Sequence, residues 1–248
     1  MVGLIYKDLC CLRKHIKMFA TLTAVVIALS LLFVLSMEHG NVALMIAEMS
    51  EEEFFGLFQT AIWYVMILPI ACSAMIQECF KEDATANFKK CLYALPVKEE
   101  KVVGGRYMAG LAFLFLGFLG TLSVGGCIAL ATDVFKFREL LGYSVTFLAL
   151  LILYEAFVMF ILYTVDGKKA DLIQCVPLVV ALVGFMAWFI GKTADMADEQ
   201  FTQLLRDSMD KINDIMTYHC IWILLAALLG MVISYIGSVF MQKKRGLK

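Results

Sequence analysis

Long apolar runs separated by short polar connections make up most of this chain. From the amino terminus, the runs fall at 16–37, 54–76, 102–131, 140–165, 172–191 and 219–241. Each has about 20 or more residues, which is enough for a helix to cross the hydrocarbon core of a bilayer. The runs are too long, and alternate too little, for the strands of a membrane barrel. Because only helices and closed barrels span membranes, the pattern predicts an all-α polytopic membrane protein with six transmembrane helices.

Two further stretches have the spacing of amphipathic helices outside the predicted spans. Residues 1–15 place apolar side chains on one helical face and basic side chains near the other, which predicts a helix lying in the membrane interface. Residues 192–218 join the fifth and sixth spans, and their apolar positions recur at helical spacing. We therefore expect a single transmembrane domain over 1–248, with an interfacial helix at 1–15 and an extracytoplasmic helical loop at 192–218.

Composition and charge agree with this class and add an orientation. Hydrophobic residues make up 62% of the 248 residues and charged residues 17%, which leaves too little polar surface for a soluble domain. Of the 21 Lys and Arg residues, 16 lie in the two termini, in or just after the connection between the second and third spans, and in the connection between the fourth and fifth. The positive-inside rule then places both termini in the cytoplasm.

The most highly charged stretch between two apolar runs is 77–101, which connects the second and third spans. Its first part has no Gly or Pro and reads as a short helix with Phe88, Leu92 and Leu95 at helical spacing, ended by Pro96. The spacing fits two interpretations equally well. One is an amphipathic helix that docks on another protein, and the other is a solvated connector.

Small residues form a face on the third predicted span. Gly110, Gly117 and Thr121 lie near one side of a helix, and small residues let membrane helices approach closely. The favoured interpretation of this face is packing within the bundle, and the lining of a transport path is the second.

Glu155 is the one carboxylate deep in a predicted span. Acidic side chains inside a membrane are costly and are candidates for function. Two interpretations of Glu155 stay open: it acts on a substrate or proton, or it bonds Tyr154, Tyr163 or a Ser or Thr on a neighbouring helix.

Motifs for catalysis or metal binding are missing from the sequence. The run 191–193 resembles the end of a phosphate-binding loop, but the Gly that such a loop needs five residues earlier is Met186. There is no HExxH or GxSxG motif, and the three His are scattered. None of the eight cysteines falls in a predicted outer loop, so no disulfide framework is indicated. The sequence predicts neither an enzyme nor a metal site.

Several features together are typical of one transporter family. They are the surface helix around 4–9, the six spans, the long outer loop before the last span, and the cytoplasmic segment 95–107. In these features the chain resembles an ABC-2 type permease, and most closely the permease subunits of bacterial phenol-soluble modulin exporters. The family places acids after the second span, then an LPV turn, a basic residue and a Tyr-containing start of the third span. The corresponding residues here are Glu78 and Glu82, Leu95 to Val97, Lys98 or Lys101, and Arg106 with Tyr107. Glu99 and Glu100 depart from the more basic stretch that is common there.

The resemblance implies a subunit without ATPase motifs that is driven by a separate ATPase. Two permease subunits, identical or paralogous, would rest on two ATPase copies, which bind ATP and Mg²⁺, and this chain itself would bind no cofactor. The implied cargo is an amphipathic or hydrophobic peptide, such as a phenol-soluble modulin or an antimicrobial peptide, exported from a bacterial cytoplasmic membrane; nucleic acid is not among the partners.

The same resemblance assigns roles to particular residues. The loop 78–101 would hold the coupling helix, and Glu155, Gly110, Gly117 and Thr121 are the candidates for the transport path. The expected contacts to the ATPase are Glu82, Asp83, Phe88, Lys89, Lys90, Leu92, Tyr93, Leu95 and Pro96.

Three alternatives to an ABC permease remain. An intramembrane hydrolase would need a nucleophile and a base at membrane depth, which the sequence lacks. A secondary, ion-coupled transporter should show inverted repeats and several intramembrane charges, whereas Glu155 stands by itself and no internal symmetry is evident. A membrane scaffold without transport would leave the amphipathic helix at 78–101 unexplained.

Overall fold

The computed structural model describes residues 13–39, 66–74, 77–80, 83, 98–131, 137–165, 176–193, 211 and 214–246. Within these ranges the regular elements are all helical and no strand occurs. The long helices are α1 (Arg13–His39), α2 (Glu99–Ala131), α3 (Phe137–Thr164), α4 (Val176–Thr193) and α5 (Cys220–Gly246). Helical residues at 66–74, 77–80 and 83 form what we call the 66–83 segment, and residues 214–218 form a helical turn before α5.

Among the described residues, three helices are long and apolar enough to cross a membrane: Glu99–Cys127, Phe137–Thr164 and Cys220–Lys244. They coincide with the predicted third, fourth and sixth spans to within a few residues at each end. The described part of α1 and α4 is helical where the first and fifth spans were predicted. The helical class and three spans are therefore confirmed, and the count of six stays a prediction.

Helix α2 begins three residues earlier than the apolar pattern indicates. The carbonyl of Lys98 accepts bonds from the backbone N–H groups of Lys101 and Val102, so Lys98 is the N-cap residue. Glu99 and Glu100 occupy the first turn, where negative charge interacts favourably with the helix dipole. The charged end of the connecting loop is thus the first turn of the membrane helix.

Helix α2 runs antiparallel to both α3 and the 66–83 segment. Gly125, near the end of α2, lies against Leu140, near the start of α3. Midway along α2, Gly117 lies against Pro69. At the start of α2, Arg106 pairs with Asp83 at the end of the 66–83 segment. The start of α2, the end of α3 and the end of the 66–83 segment therefore meet at one end of the bundle.

Helices α3 and α5, in contrast, run parallel. Gly230 packs against Leu153, and seven residues further along both helices Gly237 packs against Phe160. Near the start of α3, the hydroxyl of Thr146 donates to the carbonyl of Met216 over 3.2 Å, just before α5 begins. Because the two helices point the same way, the chain between them returns across the length of the bundle.

The core lies where α2, α3, α5 and the 66–83 segment meet. Most of its side chains are aliphatic or aromatic, with small residues at the closest approaches. The buried set is Cys72, Cys79, Val103, Tyr107, Ala109, Phe113, Leu114, Leu148, Ala149, Ile152, Ala156, Met159, Tyr163, Ala227 and Met231.

Candidate functional site

A buried charged cluster joins three elements at the end of the bundle where α2 begins. Arg106, on the second turn of α2, donates from its guanidinium to the carboxylate of Asp83. The two side chains are only 9% and 15% exposed. The central carbon of the same guanidinium lies 4.5 Å from the ring centroid of Phe80. The ring of Phe80 in turn meets Tyr163 of α3 edge to face, with centroids 5.4 Å apart. We call Asp83, Arg106, Phe80 and Tyr163 the Arg106 cluster.

The contribution of this cluster to stability depends on its burial. Removing one partner of a buried ion pair leaves the other charge uncompensated, which typically costs about 3–5 kcal/mol. A guanidinium over an aromatic ring adds roughly 0.5–2 kcal/mol when it is shielded from water. The Arg106 cluster therefore holds the 66–83 segment, α2 and α3 in a fixed relation at this end.

A second, exposed contact lies at the same end. Lys243, near the end of α5, donates to the carboxylate of Glu100 over 2.5 Å, and both side chains are about half exposed. The hydroxyl of Tyr235 donates to the Glu100 carbonyl over 3.4 Å. Exposed ion pairs contribute little to stability because water screens them, so this contact stabilises the end of the bundle less than the Arg106 cluster does.

A polar network inside the bundle ties α2, α3 and α5 together. The hydroxyl of Tyr107 lies 2.7 Å from that of Ser234 and 2.9 Å from that of Ser238. The hydroxyl of Ser234 donates to the backbone carbonyl of Ala156 over 2.5 Å. Each of these hydroxyls is satisfied inside the protein, as a membrane interior requires.

Glu155 lies at the centre of the bundle, where α3 faces α2. Its side chain is 1% exposed, and neither carboxyl oxygen has a hydrogen-bond partner among the described residues. The interpretation in which Glu155 bonds Tyr154, Tyr163 or a Ser or Thr of a neighbouring helix therefore finds no such bond among the described residues, and Tyr163 packs on Phe80. A Cβ on Gly110 would overlap Oε1 of Glu155, so the glycine is what makes room for the acid. A role for Glu155 in transport stays a prediction.

The small-residue face of α2 makes contacts with two different neighbours. Gly110 faces Glu155 and Met159 of α3, whereas Gly117 faces Pro69 of the 66–83 segment. The hydroxyl of Thr121, which is buried, donates to the carbonyl of Gly117 over 3.2 Å. These are the contacts of closely packed helices, and the lining of a transport path by the same residues stays a prediction.

An open groove of about 360 Å³ runs between α3 and α5, on the side of α3 away from Glu155. Gly230 and Gly237 of α5 line it beside Leu153 and Phe160 of α3, against which they pack. Its lining residues are Leu153, Ala156, Phe157, Phe160, Gly230, Ile233, Ser234 and Gly237.

Most of the predicted ATPase-contacting residues lie outside the described part of the chain. Asp83 is described and belongs to the Arg106 cluster. The remaining residues of that prediction fall in ranges that the structure does not describe: Glu82, Phe88, Lys89, Lys90, Leu92, Tyr93, Leu95 and Pro96. Within the described ranges, no group of three or more His, Cys, Asp or Glu side chains is arranged to hold a metal ion.

Several residues of this region were not singled out in the sequence. No pattern in the sequence distinguishes Phe80 or Lys243 from its neighbours, and Ser234 and Ser238 lie within an apolar run. One signal was present: Ser234 and Ser238 are four residues apart, so both face the same side of α5. Their partner Tyr107 lies 127 and 131 residues away, and no local pattern reports that distance.

The antiparallel and parallel apolar helices, with a buried acid and polar links between them, define a polytopic helical membrane protein. Residues 3–243 match the family described as "ABC-2 family transporter protein". Because the match covers nearly the whole chain, the chain belongs to this ABC transporter family. Members are transmembrane subunits and normally work with an ABC ATPase. No curated protein and no solved structure matches the chain.

Proposed function

We propose that this chain is the permease subunit of an ABC exporter that moves an amphipathic or hydrophobic cargo out of a bacterial cell. The observation that carries the proposal is the family match over residues 3–243. The sequence has no complete phosphate-binding loop, which supports a separate subunit as the source of ATP hydrolysis. The favoured cargo is an amphipathic peptide of the phenol-soluble modulin kind, since the sequence features described above resemble those of permeases in that branch.

The contact with the ATPase is proposed to lie in residues 78–101. This stretch has the highest density of charged residues between two apolar runs. Asp83, near its start, pairs with Arg106, and Glu100, near its finish, pairs with Lys243, so the stretch begins and finishes at the same end of the bundle. Phe88, Leu92 and Tyr93 would be the buried anchors of the contact, with charged neighbours at its rim. Aromatic anchors inside a polar rim are the usual source of affinity in protein interfaces.

Six spans, with both termini in the cytoplasm of a bacterial cell, are part of the proposal. The parallel course of α3 and α5 supports a further crossing between them, because the chain ends α3 and begins α5 at opposite ends of the bundle. Helix α4 is apolar, is 18 residues long and lies between the two, so it is the natural candidate for that crossing.

A pair of permeases, identical or paralogous, is proposed to enclose the cargo path with two ATPase copies below. Glu155, Gly110, Gly117 and Thr121 are the proposed path residues. What supports them is their placement in the bundle interior: Glu155 has no bonded partner among the described residues, and the glycines hold the helices close. Such a close contact opens a path only if the helices separate during the transport cycle.

The proposal is tested by purifying the tagged permease after co-expression with an ABC ATPase encoded beside it. The wild-type chain should retain the ATPase, and Phe88→Asp should lower the retained amount by roughly tenfold or more, since an interface anchor is typically worth at least about 2 kcal/mol. Phe137→Asp is the matched control: Phe137 is exposed and lies at the opposite end of the bundle.

The outcomes separate two parts of the proposal. Absence of any bound ATPase from the wild-type preparation would contradict the permease function. Normal retention by Phe88→Asp, with the control also normal, would leave the function standing and show that the contact is not at Phe88.

A further inference from the structure

The chain segments before and after residues 84–97 are in direct contact with each other, through Asp83 and Arg106. Asp83 lies within the proposed ATPase contact region 78–101, just before residues 84–97, and Lys98 lies just after them as the N-cap of α2. Arg106, eight residues after Lys98, pairs with Asp83. The parts of the chain that flank residues 84–97 are therefore bridged by one largely buried ion pair.

The Arg106 cluster ties this bridge to the rest of the bundle. The guanidinium of Arg106 lies over the ring of Phe80, and Phe80 meets Tyr163 near the end of α3. The residue after Arg106 is Tyr107, whose hydroxyl contacts Ser234 of α5. One turn further along α2, Gly110 lies against Glu155. Contacts thus continue from the edge of the proposed ATPase contact to the centre of the bundle.

We propose that Arg106 is a positioning residue that transmits movement from the ATPase contact into the membrane helices. Because its side chain holds Asp83 and Phe80 together against α2, the 66–83 segment and α2 move as one unit when the ATPase displaces the chain between them. Tyr163 carries the same displacement to α3. The inference rests on the proposed function, and it adds a residue for which neither the family match nor the loop assignment gives a role.

The geometry requires arginine rather than a positive charge alone. A guanidinium is planar, so it can bond a carboxylate with its edge while its face lies on an aromatic ring. A lysine ammonium is a point charge without such a face. Arg106→Lys should therefore keep part of the attraction to Asp83 and lose the stacking on Phe80.

The test uses the permease–ATPase complex in lipid nanodiscs and measures hydrogen–deuterium exchange in α2 and α3. The measurement is made in the nucleotide-free state and in the state trapped with ATP and vanadate, and the two are compared. In the wild type, trapping should change exchange at residues 103–113 and 152–163. In Arg106→Met the ATPase should remain bound and active, while the change in exchange falls by roughly fivefold or more. Arg106→Lys should give an intermediate response.

Two further variants keep the result interpretable if Arg106→Met does not fold. The exchanged pair Asp83→Arg with Arg106→Asp restores opposite charges and should recover a response at least about twofold larger than either single change, as expected for directly coupled residues. Lys243→Met removes an exposed ion pair at the same end of the bundle, outside the Arg106 cluster, and should stay within about twofold of the wild type.

Three outcomes would overturn the proposal. The first is a wild-type complex in which trapping leaves hydrogen–deuterium exchange in the spans unchanged. The second is an Arg106→Met complex whose exchange changes as much as that of the wild type. The third is loss of ATPase binding in the Arg106 variants, which would make Arg106 part of the docking surface. A wild-type chain that binds no ABC ATPase at all would instead remove the proposed function, and this inference with it.

Discussion

Gly117 lies at a close contact between α2 and the 66–83 segment. A Cβ at this position would lie 2.6 Å from the Cα of Pro69 and 3.1 Å from the sulfur of Cys72. Pro69 is a backbone contact and cannot turn aside as a flexible side chain would. The glycine therefore sets the distance between α2 and the 66–83 segment.

Gly117→Ala should destabilise the protein by roughly 1–3 kcal/mol, because the added methyl group forces the backbones apart in a packed interior. The temperature midpoint of unfolding should be lower for this variant. It is measured by heating the detergent-solubilised chain and monitoring the remaining folded protein by size-exclusion chromatography. Gly184→Ala is the matched control: a Cβ at Gly184 meets nothing within 4 Å of it in the described structure, and alanine is the better helix former.

A midpoint for Gly117→Ala that equals that of Gly184→Ala would show that the two segments are not in this close contact.

The sequence predicted a small-residue face for helix packing, and the contacts of Gly110 and Gly117 agree with it. It did not predict that this face serves two different neighbours. Residue spacing within one helix gives the direction of a face, whereas the identity of the partner depends on the whole fold.

At the scale of the helices, the hydroxyl network around Tyr107 is a polar link between α2 and α5 inside the bundle. Ser238 is fully buried, and its hydroxyl meets that of Tyr107 over 2.9 Å. Hydrogen bonds between membrane helices contribute on average about 0.6 kcal/mol each. Tyr107 makes two such contacts and also packs on Tyr235 edge to face, so its ring and its hydroxyl both contribute.

Tyr107→Phe should keep the ring packing and cost about 1 kcal/mol through loss of the two hydroxyl contacts. Ser238→Ala should cost less, because it removes one of them. In a double-mutant cycle the combined cost should fall short of the sum by about 0.5 kcal/mol, as directly interacting groups do. Chemical unfolding of the purified protein in detergent measures all three values.

Tyr235→Phe provides the control for this cycle. Among the described residues, the hydroxyl of Tyr235 makes only the long 3.4 Å contact at an exposed site, so its loss should have a small effect. Strict additivity between Tyr107→Phe and Ser238→Ala would contradict the network.

The helices themselves were largely predictable, because apolar length is a direct requirement of the bilayer. The ends of α2, α3 and α5 differ from the predicted ends by a few residues, as with Glu99, whose charge suits a helix start better than a loop. The Arg106 cluster was not predictable in the same way. The predicted contact of Asp83 with the ATPase stays a prediction. Its pairing with Arg106 was not predicted, because nothing local in the sequence links residues that are 23 apart.

At the scale of the whole molecule, the distribution of Lys and Arg predicts which face of the bundle meets the cytoplasm. The Arg106 cluster and the Glu100–Lys243 pair lie at one end, and Arg138, whose guanidinium carbon is 5.2 Å from the ring centroid of Tyr218, lies at the other. The end with the Arg106 cluster should face the cytoplasm.

Reporter fusions in a bacterial host should show this orientation. Green fluorescent protein fused after residue 248 should fluoresce, and alkaline phosphatase fused there should be inactive. Alkaline phosphatase inserted within 192–218 should be active. The positive-inside bias is the physical reason, since translocation of Lys and Arg is disfavoured. Phosphatase activity at the carboxyl terminus, together with a dark fluorescent fusion, would reverse the orientation and move residues 78–101 out of reach of an ATPase.

The family was accessible from the sequence, and the cargo was not. Trp222 and Ile233 of α5 are each 71% exposed, and similar apolar side chains face outward along much of the bundle. Side chains that meet lipid, a second permease or an amphipathic peptide have the same apolar chemistry, so their type does not separate these roles.

The acid in the middle of α3 also has a consequence for biosynthesis. An acidic residue at the centre of a helix opposes insertion into the bilayer by an amount of order 3 kcal/mol. Helix α3 is the most apolar of the three spanning helices, which offsets this opposition within the helix itself. Since α2 is translated first, Gly110 is already in place when Glu155 emerges, and the nascent hairpin of α2 and α3 can shelter the carboxyl group from lipid before α5 has been made.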